Sequence, residues 1–124
     1  MEKLVSIRGA ISVKENSSAS IKEGVLELLR EIVRKNKLDN ENIVNIIFTV
    51  THDLDAIHPA TVAREDLNFS NMPMLCTQEM KITKDLPRCI RVLVQAYTSS
   101  SKESIKHIYL REASKLRPDL CSEK

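Results

Sequence analysis

The chain has 124 residues, 42% of them hydrophobic and 29% charged, with a formal net charge of +2. That length suits one domain able to bury its own core, and the composition is that of a folded protein rather than a disordered one. The charge balance is too even for a nucleic-acid binder, and Phe48, Phe69, Tyr97 and Tyr109 are too few aromatics for a base-stacking platform.

The alternation of residues 3–13 predicts a strand, with Val5, Ile7 and Ile11 on one face and Leu4, Ser6, Arg8 and Ala10 on the other. Asn16-Ser17-Ser18 breaks it. Ile21, Val25, Leu28, Leu29, Ile32 and Val33 form a 3.6-residue stripe, which predicts a helix from about Ser18 to Lys35. Ser17 or Ser20 can cap it, and Ser20 with Glu23 fits a capping box. Gly24 inside that helix is locally unfavourable and implies a close helix–sheet contact. After a polar connection, Ile43 to Thr51 is a β-branched run of the kind covered on both faces. His52 to Asp55 reads as a loop, and Pro59 opens a second helix over about 59–67. Met74 to Glu79 is a short strand, Lys84 to Pro87 a turn, and 89–98 a strong strand with Ile90, Val92, Val94 and Ala96 on one face. A last strand is expected at Ile105 to Tyr109, then a short helix at about 111–116 and an exposed tail. About five strands and two to three helices make an α+β domain, a mixed sheet packed with helices. Its apolar strands leave surface that a symmetric oligomer would cover.

Cys76, Cys89 and Cys121 show no C-x-x-C spacing, so a reducing cytosol is expected rather than a disulfide framework. No signal-type apolar segment opens the chain, and no run approaches the roughly 18 apolar residues of a membrane span. Neither secretion nor membrane insertion is expected.

Two arginines sit in otherwise apolar strands: Arg8 in Ile7-Arg8-Gly9-Ala10, and Arg91 in Cys89-Ile90-Arg91-Val92. A guanidinium does not lose its proton, and burying one without an anion is costly. Each is either a surface or ion-paired residue or part of a bidentate clamp for a carboxylate. Glu79 can act as acid, base or hydroxyl acceptor, or simply pair with a cation. Cys76 can act as a nucleophile, but none of His52, His58 and His107 is tied to it by a motif. In a regular strand Cys76 and Glu79 point to opposite faces. No zinc-binding, nucleophile-elbow or phosphate-loop motif occurs, and with only Gly9 and Gly24 present no glycine loop can cradle phosphate. No metal or cofactor is expected. The residues suit a reaction carried by fixed positive charge and substrate shape.

These segments, in this order, resemble the AroH class of monofunctional chorismate mutases. The likeness runs through Ile7-Arg8-Gly9-Ala10, Asp53-Leu54, Pro59-Ala60, Val62-Ala63-Arg64-Glu65, Cys76-Thr77-Gln78-Glu79-Met80, Cys89-Ile90-Arg91-Val92, His107-Ile108-Tyr109-Leu110 and Leu116-Arg117-Pro118-Asp119-Leu120. It implies one catalytic domain over 1–124, with a mobile tail at about 117–124. It implies a homotrimer forming a pseudo α/β barrel, with active sites between subunits. The implied reaction is the concerted rearrangement of chorismate to prephenate, on the way to phenylalanine and tyrosine. It needs no cofactor, nucleic acid or membrane.

By resemblance, Arg91 would reach the ether oxygen of the breaking C–O bond and a carboxylate. Arg8 and Tyr109 would bind carboxylate, and Glu79 would accept from the ring hydroxyl beside Cys76. Arg64 would lie at the cleft mouth and Arg117 on a closing segment, while Ala60 and Leu116 would line the cleft. Three positions depart from the family pattern: His58 stands for an aromatic, Thr61 for a lysine and Leu75 for a threonine. An enamine/imine deaminase-like trimer and a non-catalytic binder of an anionic metabolite are the alternatives.

Overall fold

The computed structural model describes residues 2–69 and 71–117. Five strands and two α-helices follow in the order β1 (Lys3–Ser12), α1 (Ser18–Asn36), β2 (Ile43–Val50), α2 (Pro59–Asp66), β3 (Met74–Gln78), β4 (Cys89–Thr98) and β5 (Ile108–Leu110). The strands form one mixed sheet in the order β3-β2-β4-β1-β5. Its centre is antiparallel, β2 and β1 flanking β4, and each edge strand pairs in parallel with its neighbour. The α+β reading holds.

The core lies between one sheet face and the two helices. Ile7, Ile11, Phe48, Ile46, Ile90 and Val94 meet Ile21, Val25, Leu28 and Ile32 there, all fully buried. Burying each such side chain contributes about 1.5–3 kcal/mol. The close contact expected at Gly24 is present, since a Cβ there would lie 2.6 Å from Val13 Cγ1. Gly9 plays the same part from the sheet side: its Cβ would meet Ile32 Cδ1 at 2.9 Å and the Ile108 carbonyl at 3.1 Å.

Ser17, not Ser20, caps α1: its hydroxyl accepts from the Ser20 N–H at 3.1 Å. Ser20 thus falls within the first turn, and the Ser20–Glu23 capping box does not form. Lys37 ends the helix in the left-handed conformation, φ 54°. Arg34 and Lys35 occupy the last turn, where positive charge suits the helix dipole.

Two other expectations are corrected. The last strand begins at Ile108, because Lys102–Ser104 forms a 3₁₀ turn and Asn36 captures the Lys106 backbone. The short helix expected at about 111–116 is present as a 3₁₀ helix, Arg111–Lys115. β2 is covered on one face only in the single chain, leaving Ile47 exposed. Of the expected tail, 118–124 lie outside the described residues, and Cys121 with them. Among the described residues no helix is long and apolar enough to cross a membrane.

Candidate active site

Strand alternation decides which side chains meet. In the β1–β4 pair Arg8 lies opposite Leu93 and Ala10 opposite Arg91. Residues directly opposite share a face, so Arg8 and Arg91 are diagonal neighbours on the face the helices leave open. Thr49 of β2 is also opposite Arg91, and Thr77 of β3 is opposite Thr49. Leu4, Ile47, Leu75 and Tyr97 stand on this same face and are exposed. The arginines are less enclosed than their apolar neighbours suggest: Arg8 is exposed and the Arg91 side chain is 40% accessible.

Glu79 follows β3 and turns to this face. Its backbone N–H donates to the Val50 carbonyl at 2.9 Å, and its carbonyl takes His52 Nε2 at 2.8 Å. The Glu79 side chain is 11% accessible; Oε2 accepts from the Thr49 hydroxyl at 2.7 Å and stands 3.0 Å from Arg91 Nε. That separation makes an ion pair, yet the Nε–H has no acceptor in hydrogen-bonding alignment and is itself buried. Coulomb attraction depends on distance, so the pair is real.

The C-terminal segment folds onto one end of the same face. Tyr109 on β5 lies beside Ala10, and Tyr109, Ala10, Cys89 and Ala113 form a small second core with Leu86 and Leu116 packed on it. Arg111, at φ 56°, ties this segment down: it donates to the Ser12 carbonyl at 3.2 Å and to Glu27 Oε1 at 2.6 Å. Arg8, Glu79, Arg91, Tyr109 and Leu116 are thus brought to one face of the sheet.

Cys76 is on the other side. It pairs with Phe48 and packs against the main core at the start of α2. Burial pushes its thiol above the usual value, and the Ala60 backbone N–H only partly opposes this. Cys89 is fully buried and is pushed up to about 11, again by burial. Both stay protonated at neutral pH, which removes them as ready nucleophiles. Cys76 and His58 line one cavity with Val50, Leu54 and Pro59. Ala60 and Thr61 are half-buried in the first turn of α2, and Arg64 is exposed in its last turn. Leu75 points to the open face, opposite Ile47. The sequence-predicted residues therefore fall into two sets separated by the thickness of the sheet. Among the described residues no group of three His, Cys, Asp or Glu side chains could hold a metal ion.

Residues 4–120 match the family model described as chorismate mutase type I. The chain is 40% identical to the chorismate mutase AroH of Thermus thermophilus over 115 residues, spanning 92% of this chain and 93% of that protein. It is 36% identical to the chorismate mutase AroH of Bacillus subtilis over 114 residues, spanning 92% and 90%. The fold superposes on a solved chorismate mutase from Clostridium thermocellum with a TM-score of 0.86 at 39% identity, covering 89% of this chain and 97% of that one. The chain belongs to the chorismate mutase type I family.

Three supports of the candidate site escape sequence reasoning. Thr49 and His52 hold the two ends of Glu79, and no local motif marks either. Asn16 ties the loop before α2: its Oδ1 accepts from the Asp55 and Ala56 N–H groups at 3.0 and 3.1 Å, and its Nδ2 donates to Asp55 at 2.7 Å. Only the turn-forming Asn16-Ser17 pair hints at a local role, and it gives no sign of a partner 39 residues on.

Proposed function

We propose that this protein is an isomerase that converts chorismate to prephenate, serving phenylalanine and tyrosine formation in a reducing cytosol, as one catalytic domain over 1–124. Family membership supports the reaction. The observation that carries the mechanism is the Arg91–Glu79 ion pair at 3.0 Å, held on the open sheet face diagonal to Arg8.

In this intramolecular rearrangement the ether C–O bond breaks as a C–C bond forms, within one cycle of six atoms. No proton is transferred and no covalent enzyme intermediate arises. Electron density shifts onto the ether oxygen in the transition state. A fixed guanidinium beside that oxygen stabilises the transition state more than the substrate, which is what acceleration requires. Arg91 is assigned that role. Glu79 keeps Arg91 oriented through Oε2, and its other oxygen is assigned to the ring hydroxyl. Arg8, Tyr109 and Arg117 are assigned to the substrate carboxylates, and Leu116 to the cleft wall.

The second set, His58, Ala60 and Cys76 with Arg64 at the mouth, is assigned to the opposite wall, while Leu75 is assigned to the open face beside Ile47. Cys76 and Glu79 diverge on either side of β3, so one chain does not close a pocket from both sets. The open apolar face suits contact with further copies. A homotrimer of pseudo-barrel form, each cleft shared by two chains, satisfies both observations and is the assembly we propose.

The test follows chorismate loss by ultraviolet absorbance with the purified chain, alongside sedimentation. Saturable conversion to prephenate by a trimer is expected. Hydrolysis of imino acids instead would favour a deaminase. Tight prephenate binding without turnover would favour a metabolite sensor. Either outcome overturns the proposal.

A further inference from the structure

β5 pairs with β1 only from Gly9 opposite Ile108 onward, so the ladder stops one residue short of Arg8. The Arg8 backbone N–H is nevertheless satisfied. It donates to His107 Nδ1 at 2.9 Å, the imidazole standing where a strand carbonyl would otherwise continue the ladder. The ring is held from behind. Buried Asn36 at the end of α1 accepts from the Lys106 N–H at 2.8 Å and donates to the Lys106 carbonyl at 2.9 Å and to the Ile32 carbonyl at 3.0 Å. The chain entering β5 is thus pinned to α1 on one side and to Arg8 on the other.

We propose that His107 is a positioning residue for Arg8, and that only its neutral form, with the proton on Nε2, holds Arg8 in the geometry that captures the anionic substrate. The inference rests on the assignment of Arg8 to a substrate carboxylate. A nitrogen that accepts from a main-chain N–H carries no proton, so the contact selects the tautomer. Protonation at Nδ1 would set two N–H groups against each other and turn the ring away.

The surroundings keep the ring neutral. Burial is the largest influence lowering its pKa, followed by the positive charges of Arg8 on β1 and Arg117 after the 3₁₀ segment. Lys102 lines the same cavity as His107, with Leu4, Val5, Ser6 and Ile105, and Lys106 is its chain neighbour. All of these charges are cationic, and no carboxylate lines that cavity among the described residues. A protonated His107 would also add attraction for an anion. That gain is small because the ring is half-exposed and screened, and a lost main-chain hydrogen bond outweighs it.

The experiment compares the parent with His107→Asn and His107→Leu in the full chain, by steady-state kinetics on chorismate between pH 5 and 8. Asparagine places Oδ1 close to where Nδ1 sits and accepts without titrating; leucine fills the volume and does not accept. At pH 7.5 His107→Leu should raise KM about fivefold with kcat within twofold, the equivalent of about 1 kcal/mol of uniform binding. His107→Asn should restore the parent KM. In the parent, kcat/KM should fall on the acid side through a single ionisation, and His107→Asn should lack that limb. In parallel, the ¹⁵N shifts of the His107 ring should report unprotonated Nδ1 and protonated Nε2 at pH 7. Equal KM values in the parent and both variants would overturn the inference. So would an equal rise in the two variants, an acid limb surviving in His107→Asn, or a protonated Nδ1. Absence of any chorismate turnover would instead count against the proposed function, while the ring shifts would still decide the contact.

Discussion

Arg91→Lys tests the charge-stabilisation mechanism most directly, because it keeps the charge and removes the fork. Nε of Arg91 is the atom 3.0 Å from Glu79 Oε2. In lysine that position is a methylene, and the ammonium falls where the guanidinium carbon sits. The variant therefore sets a C–H group against the carboxylate and leaves its single cationic nitrogen one bond short of the outer guanidinium nitrogens. One cation with no planar fork does not serve Glu79 and the ether oxygen together. A preorganised donor to developing charge contributes about 2.7–4 kcal/mol, or about 10²–10³ in kcat. Arg91→Lys should lose at least that factor in kcat, with a smaller change in KM, because the lost contact belongs to the transition state. Arg91→Ala should lose more. The assay is initial-rate chorismate consumption at saturating substrate, with circular dichroism to check folding. A folded Arg91→Lys protein within tenfold of the parent kcat would refute the reasoning.

Other consequences follow from burial and packing. Gly9→Ala drives a Cβ to 3.1 Å from the Ile108 carbonyl and 2.9 Å from Ile32, so it should destabilise the fold by about 1–3 kcal/mol in urea unfolding and loosen β5. Cys76 and Cys89 should resist iodoacetamide at pH 7, and labelling of Cys76 should rise only above the usual thiol range, as read by peptide mass spectrometry. Rapid labelling of Cys76 at pH 7 would contradict its raised pKa. Deleting residues 117–124 removes a cation whose field reaches His107 beside Arg8, so KM should rise more than kcat falls. The reverse pattern would make the tail part of the bond-breaking constellation.

The elements legible in the sequence are those with a strong period. The stripe from Ile21 to Val33 marks α1, and the alternation through Val5, Ile7 and Ile11 marks β1 with its faces correctly assigned. Gly24 was readable as a close contact because glycine in a helix interior carries a cost that packing must offset. What failed depended on partners far along the chain. Ile105 to Tyr109 reads as strand by composition, yet Asn36, 70 residues earlier, takes the Lys106 backbone and delays pairing until Ile108. Ser20 with Glu23 matches a capping box, but Ser17 starts the helix one turn sooner. At the site, the alternation rule already separates Cys76 from Glu79. The supporting bonds from Thr49 and His52 were hidden, since strand register carries them and no local pattern does.

The proposed assembly and the proposed chemistry use the same surface. Arg91 is 40% accessible in the single chain, so its field is substantially screened by water. Two unit charges 4 Å apart interact by about 1 kcal/mol in bulk water and about 4 kcal/mol at an effective dielectric constant of 20. A guanidinium facing water would therefore stabilise a developing charge only weakly, however well Glu79 aims it. A neighbouring chain laid across Leu4, Ile47, Leu75 and Tyr97 would bury exposed apolar surface and exclude water at the edge of the arginine site in one step. It would also bring the Cys76 and His58 set, which this chain's own sheet holds on its far side, against Glu79. On this reading the apolar face drives association, and association gives the strand-borne charges the low-dielectric surroundings their chemistry requires.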